Sequence, residues 1–288
     1  MQLVRVKIPG RDEDTVPLLI AEAAEIMDWL YELIANSSDA VILLVGVVST
    51  AVLALVLALI SRRLFFSPHD EAFESHSKLA DVVHGSLLAF SVFVLALVLT
   101  EVRSNLGKAD DAELREASVI ARLVRDLQTL GTEDASAASE RVKDYVRSAV
   151  STEWEMLARN NPSLAEETDR ALASLVAQVN KVAADNPAAA STLRGYLDKL
   201  EDLRQSRLEF ATKSVPPVFW WVMAVFIVGA MIMNGRHKLD AFGMALIAFH
   251  MGAIGLVIAL ILVMDSPFRG ETSVSPASLV RAARLPSP

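Results

Sequence analysis

The chain has 288 residues, 53% of them hydrophobic and 22% charged, with a net charge of −8 and no cysteine. The acidic balance and a pI near 5.2 exclude broad nucleic-acid binding, and the missing cysteines exclude disulfides, thiolate metal sites and a thiol nucleophile. A mean hydropathy of +0.39 is too high for an ordinary soluble domain with this charge content, so the chain must divide into apolar and polar territory.

The first predicted element is an amphipathic helix over residues 13–35. Leu19, Ala23, Ile26, Leu30, Leu33 and Ile34 lie towards one face, with Glu22, Glu25, Asp28 and Glu32 on the rest. An acidic face suits packing on the protein better than binding to anionic lipid. No short apolar core followed by a small-residue cleavage site precedes it, so no cleavable signal peptide is expected.

Two pairs of apolar runs follow, 41–60 with 84–100 and 218–234 with 241–264, on either side of a charged middle region. A bilayer core needs about 20 helical residues to cross, within a range of about 17–25, and all four runs fit. Between them, punctuation at Gly131, Asn160-Asn161-Pro162-Ser163 and Asp185-Asn186-Pro187 predicts helices over 110–130, 135–158, 163–184 and 187–212. No stretch alternates with the period of two that a strand requires. The reading is an all-α polytopic membrane protein with four transmembrane helices, set in a bacterial inner membrane. It divides into an N-terminal amphipathic region (1–40), a transmembrane hairpin (41–101), an extramembrane helical region (102–215), a second transmembrane hairpin (216–265) and a flexible C-terminal tail (266–288).

Four crossings put both termini and the middle region on one side. The short connections carry Arg62, Arg63, Arg236 and Lys238, which the positive-inside rule places in the cytoplasm and which would put the helical region outside.

Within the second run Gly85, Ala89, Ala96 and Thr100 share a face that allows close helix approach. Another face carries Phe90, Phe93 and Leu97, followed by Glu101 and Arg103. Copies of this helix around an axis would make a dewetting gate from the aromatic rings, with a charged ring at its mouth. Packing against lipid or neighbouring helices explains the same phenylalanines. His250 is an ionisable group inside the fourth run, close to Gly243, Gly252 and Gly255, a functional candidate by its depth. A neutral imidazole bonded across a close helix interface is the plainer account. Glu116, Arg122 and Asp126 fall at helical spacing, and Asp265 with Arg269 predicts a clasp at the exit of the fourth run. No phosphate-binding glycine loop, dinucleotide motif or zinc-protease motif occurs.

The segments His84-Gly85 through Phe90, Arg103 and Glu116-Ala117-Ser118-Val119-Ile120 resemble the bestrophin-like domain-of-unknown-function family of bacterial and plant membrane proteins. Tyr145-Val146, the prolines Pro216 and Pro217, and Asp265-Ser266-Pro267-Phe268-Arg269-Gly270 with Ser275-Pro276 continue the likeness in order, over roughly residues 80 to 280. The resemblance implies a distant relation to the bestrophins, pentameric anion channels with the pore lined by the second crossing. It makes Phe90, Phe93 and Leu97 the candidate neck, and Glu116, Ala117, Asp265, Pro267, Arg269 and Gly270 structural motif residues. It also implies a cytoplasmic helical region, opposite to the loop charges. Bestrophins follow a Pro-Phe-Gly stretch with an acidic calcium clasp. Here Pro267-Phe268 leads to Arg269-Gly270-Glu271-Thr272, so no calcium site and no cofactor are expected.

The favoured reading is a homo-oligomeric ion channel, pentameric by analogy, embedded in lipid and passing small inorganic anions. The alternative is a non-conducting scaffold or sensor with a partner-binding helical region. A stator-like proton channel lacks the acidic residue it would need inside a run, and no nucleophile–base or metal constellation can be assembled for an enzyme.

Overall fold

The computed structural model describes residues 37–66, 73–159, 165–237 and 239–285, with the side chains of 73–77 excepted. The predicted amphipathic helix at 13–35, the punctuation at 160–163, Lys238 and residues 286–288 lie outside the described residues. Every element among the described residues is helical.

The first run forms α1 (Asp39–Leu64), with Asp39 in its first turn and Arg62 and Arg63 in its last, each the charge the helix dipole favours there. The second run opens α2 (Phe73–Leu130), which does not stop at the membrane. No proline interrupts it, so the helix predicted to start at 110 is the continuation of the crossing. Its 58 residues make one rod, about 87 Å long at 1.5 Å per residue. It ends at Gly131, where φ is +63° and a side chain would be strained.

Thr132 caps α3 (Glu133–Ser148) by accepting from the Ala135 N–H at 3.1 Å. A π-turn at Ala149–Glu153 leads into α4 (Trp154–Ala158), so the single helix predicted over 135–158 is broken by a bulge. After it come α5 (Glu166–Asp185) and α6 (Pro187–Thr212), the latter with proline in its first turn as expected. The third and fourth runs are α7 (Pro217–Met233) and α8 (Ala241–Met264), and a short α9 (Ala277–Ala282) follows.

Among the described residues four helices are long and apolar enough to cross a membrane. Their packing is not simply between sequence neighbours: α1 lies along α8, and α2 along α7. The α1–α8 contact is backbone-close. A Cβ at Gly255 would stand 2.3 Å from the Gly46 carbonyl oxygen, and one at Gly46 would stand 2.5 Å from the Ala259 Cβ. Small residues permit this in lipid, where dispersion and close packing do most of the work of association. The small residues of α2 behave differently, since nothing stands within 4 Å of a Cβ at Gly85. Within the chain that face is exposed, at Gly85, Ala89, Ala96 and Thr100 alike.

Outside the membrane, the second half of α2 packs on α6, and α3 and α6 both pack on α5. The core includes Ile120, Leu123, Leu127, Val142, Leu175, Val179, Leu193 and Leu200. Residues 266–285 depart from the predicted flexible tail. Phe268, Val274 and Leu279 belong to this same core, and α9 docks against α2. Burial of these side chains outweighs the turn-forming serines and prolines between them.

Candidate functional site

Along α2 one face is buried and the opposite one is open from residue 79 to residue 114. Leu95, Val98 and Val102 are buried, while Phe90, Phe93 and Leu97 are 57%, 62% and 51% exposed. Glu101 and Arg103 are exposed where the apolar run ends. The open positions recur at intervals of seven: Leu79, Ser86, Phe93, Thr100, Gly107 and Leu114. That period keeps a stripe near one side of a helix, with a drift of about 20° per heptad. Phe90 sits at the margin of the stripe, its ring 5.8 Å from that of Phe226 on α7. Of the three, Phe93 is the most open.

Above the membrane α2 is held by a buried ionic cluster. The Tyr145 hydroxyl donates to Glu116 Oε1 at 2.6 Å, and Arg207 Nε donates to Glu116 Oε2 at 2.8 Å. All three side chains are fully buried. Arg207 Nη2 also lies 2.8 Å from Glu153 Oε1, a charge contact misaligned for a hydrogen bond. Arg204 joins Glu153, through Nε at 3.0 Å, to Asp169 on α5, through Nη1 at 2.6 Å. Burial opposes the charge on Arg207, but the carboxylates of Glu116 and Glu153 outweigh it and hold the guanidinium above its ordinary pKa. Burial, then the Glu116 charge, pushes the Tyr145 hydroxyl well up. The π-turn brings Glu153 and Trp154 into the interior together, a common use of such bulges. The Trp154 ring lies 4.9 Å under the Arg207 guanidinium, its Nε1 donates to the Val274 carbonyl at 3.2 Å, and Phe268 meets it edge-on at 5.2 Å. The neighbouring motif residue Ala117 is buried in the adjoining core.

Two carboxylates fix the membrane edge below this cluster. Asp265 Oδ1 accepts the Val215 N–H at 3.0 Å, joining the end of α8 to the entry of α7. Burial raises its carboxyl to about 6. Asp39 Oδ2 accepts from the Thr272 N–H at 2.9 Å and the Thr272 hydroxyl at 2.7 Å, tying α1 to the turn after α8. Gly270 is required there twice over: φ is +83°, and a Cβ would stand 2.3 Å from Asp39 Oδ1. Pro267 accepts from the Val274 N–H at 2.8 Å, and the Arg269 N–H donates to Ser266 at 3.1 Å, closing the turn.

His250 lies at the other end of the membrane domain, and it is exposed. Its ring stands 6.4 Å from that of His84, edge to face. With Asn234 and His237 they line a cavity of about 310 Å³ between the start of α2, the end of α7 and the first half of α8. The sequence reading singled out His250 and not its neighbours. The signal was present in His84 at the head of the second run and His237 in the turn before the fourth, but only antiparallel packing brings them together. Burial, then Arg236 beside it, holds His237 below the usual imidazole range. Glu153, Arg204 and Arg207 were also missed, being identical in type to exposed pairs such as Arg141–Asp144. Among the described residues no group of three or more His, Asp or Glu side chains is placed to hold a metal.

This architecture defines an integral membrane protein with a second crossing that continues, unbroken, as the stalk of a helical region. The Bestrophin-like domain matches residues 48–279, and the chain belongs to that family. No curated protein matches it at a significant level. A crystal structure of a bacterial bestrophin homologue from Klebsiella pneumoniae, a point variant, has a TM-score of 0.53 at 15% identity, covering 84% of this chain and 96% of that one. A second variant of that homologue gives 0.50 at 15% identity over 81% and 95%. A crystal structure described only as that of a membrane protein variant gives 0.53 at 14% identity over 83% and 96%. At these identities the likeness is one of fold.

Proposed function

We propose that the protein is an ion channel of several identical chains, passing small anions along an axis faced by the open stripe of α2. The observation that carries this reading is the continuity of the stripe. In the hydrocarbon, lipid alone accounts for exposed Phe93 and Leu97. Beyond the charged positions 101 and 103 there is no lipid, yet Gly107 stays open and Leu114 is 49% exposed on the same side. Copies of α2 around a common axis explain both halves at once.

In this arrangement Phe93 and Leu97 form the narrow apolar collar and Phe90 supports it from the α7 side. Glu101 or Arg103, which point to different sides of the helix, rings its mouth. An apolar constriction of this kind gates by losing its water, so widening or wetting it opens the path. Membership in the Bestrophin-like family supports anions as the permeant class.

The test is conductance of the purified full chain in planar bilayers, under a chloride gradient that gives an anion-selective channel a reversal potential of the opposite sign to a cation channel. Phe93→Ala with Leu97→Ala should raise the current severalfold. Absence of current in wild type and variant across ions and pH, or a monomeric mass in nanodiscs, refutes the reading.

A further inference from the structure

The cavity around His84, Asn234, His237 and His250 has no part in the axial path, and its chemistry is one-sided. The carbonyls ending α7 would be natural cation ligands, and they already have partners. Ala230 accepts from His84 Nδ1 at 3.0 Å, Ile232 from the Ser61 hydroxyl at 2.7 Å, and Met233 from Arg236 Nη1. The nearby carboxylates are engaged as well. Asp240 Oδ1 accepts the Gly243 N–H at 2.8 Å as the cap of α8, and Asp81 pairs with Arg236. The His237 carbonyl accepts from Arg62.

Donors remain. Asn234 is 4% exposed, and its Nδ2 is buried without a hydrogen-bond partner while the residue lines the cavity. A buried amide donor left without an acceptor is costly, so an acceptor entering the cavity is the economical explanation. His237 and His250 each offer an imidazole N–H in the neutral state. His84 must donate through Nδ1, because a carbonyl only accepts, so its other nitrogen is an acceptor in the neutral ring and becomes a donor to the cavity on protonation. Arg62, which donates to the His237 carbonyl, supplies positive charge alongside, while the charge of Arg236 is shared with Asp81.

We propose that this cavity binds an oxyanion of the phosphate class. A single-atom halide would leave most of about 310 Å³ empty, whereas a polyatomic oxyanion reaches donors on α2, α7 and α8 together. Leu246 and Met251 give one wall an apolar surface, and exposed His250 opens it towards the outer side of α8. The phosphate comes from a phospholipid headgroup lodged between the helices or from free phosphate in solution. The site is independent of the proposed conduction.

The experiment uses the full chain, delipidated in detergent and separately in nanodiscs. Inorganic phosphate is titrated by calorimetry at constant ionic strength, and retention of phosphatidylglycerol against phosphatidylcholine is read by native mass spectrometry. Saturable phosphate binding at one site per chain supports a free oxyanion. Selective retention of phosphatidylglycerol without phosphate binding supports the headgroup. In either arm His250→Ala should weaken binding tenfold or more, and His250→Gln, which keeps a donor, should retain most of it. His250 is exposed, so these variants should fold. Asn234→Leu, checked by circular dichroism and elution volume, provides a second loss at the buried donor. Binding in neither arm, binding unchanged in His250→Ala, or binding of zinc in place of phosphate overturns the proposal.

Discussion

Replacing Glu116 by Gln removes one negative charge from a site where no water can replace it. Glu116 and Arg207 are both fully buried, with Arg207 Nε 2.8 Å from Glu116 Oε2. The wild-type cluster balances Arg204 and Arg207 against Glu116 and Glu153, with half-open Asp169 at its edge. Glu116→Gln leaves an excess buried guanidinium charge. Arg207 Nη1 already lacks a partner, so no spare contact absorbs the change. Breaking a buried pair from one side costs about 3–5 kcal/mol, against a total stability of about 5–15 kcal/mol. At roughly 2–4 °C per kcal/mol for a domain of this size, Tm should fall by roughly 6–20 °C. The assay is thermal unfolding of the purified chain in detergent, followed by circular dichroism. Glu116→Leu combined with Arg207→Met removes both charges and leaves Arg204 with Glu153, so most of the loss should be recovered. A drop below about 1 kcal/mol for Glu116→Gln, or a double variant as unstable as the two single losses added, refutes charge balance as the cause.

Other outcomes follow from single contacts. Gly255→Ala puts a methyl group against the Gly46 backbone at 2.3 Å, and should separate α1 from α8 at a cost of about 1–3 kcal/mol. Gly195→Ala meets nothing within 4 Å and should gain about 0.5–1 kcal/mol in the same melting assay. Asp265 has a folded-state pKa raised to about 6 from 3.8, so between those values the folded chain keeps a proton that the unfolded chain releases. Its stabilising contribution is therefore complete below pH 3.8 and is lost as pH rises through about 6. Asp265→Asn should remove this fall from the pH–stability profile while its side-chain oxygen still accepts from Val215, and an unchanged profile would count against the assignment. Leu279→Ala deletes a fully buried side chain, should cost about 2–5 kcal/mol, and should expose residues 266–285 to limited proteolysis.

How far the sequence could be read depends on whether a feature is local. Hydropathy is a property of a continuous segment, so the four crossings and the helical middle were legible directly. The unbroken α2 was not, because Glu101 to Lys108 look like a membrane exit and only their lack of proline says the helix continues. The π-turn is a one-residue excess inside a regular helical pattern and leaves no mark in composition. The docked tail hid for a related reason, since Phe268, Val274 and Leu279 are spaced without helical or strand period. The α2 face was visible as a face, but whether it met lipid, α7 or another chain depended on packing. The histidine cavity needed residues 84, 234, 237 and 250 brought together by three crossings, of which α2 is distant in the chain from α7 and α8.

The geometry divides the singled-out residues by what they hold. Glu116 anchors the stalk of α2 to Arg207 and Tyr145, and Arg207 lies on Trp154, which binds Val274 and meets Phe268. That turn leads back through Thr272 to Asp39 on α1, while Asp265 holds the entry of α7. These contacts join the stalk to the start of α1 and to the segment after α8 at the membrane edge, so they set the direction in which α2 leaves the bilayer. Phe93 and Leu97 take no part in them. Substitutions in the cluster should therefore lower Tm and current together. Substitutions on the open face should alter current at constant Tm. A cluster variant with full stability and altered ion selectivity would place Glu116 or Arg207 in contact with the permeating ion, which their complete burial within the protomer argues against.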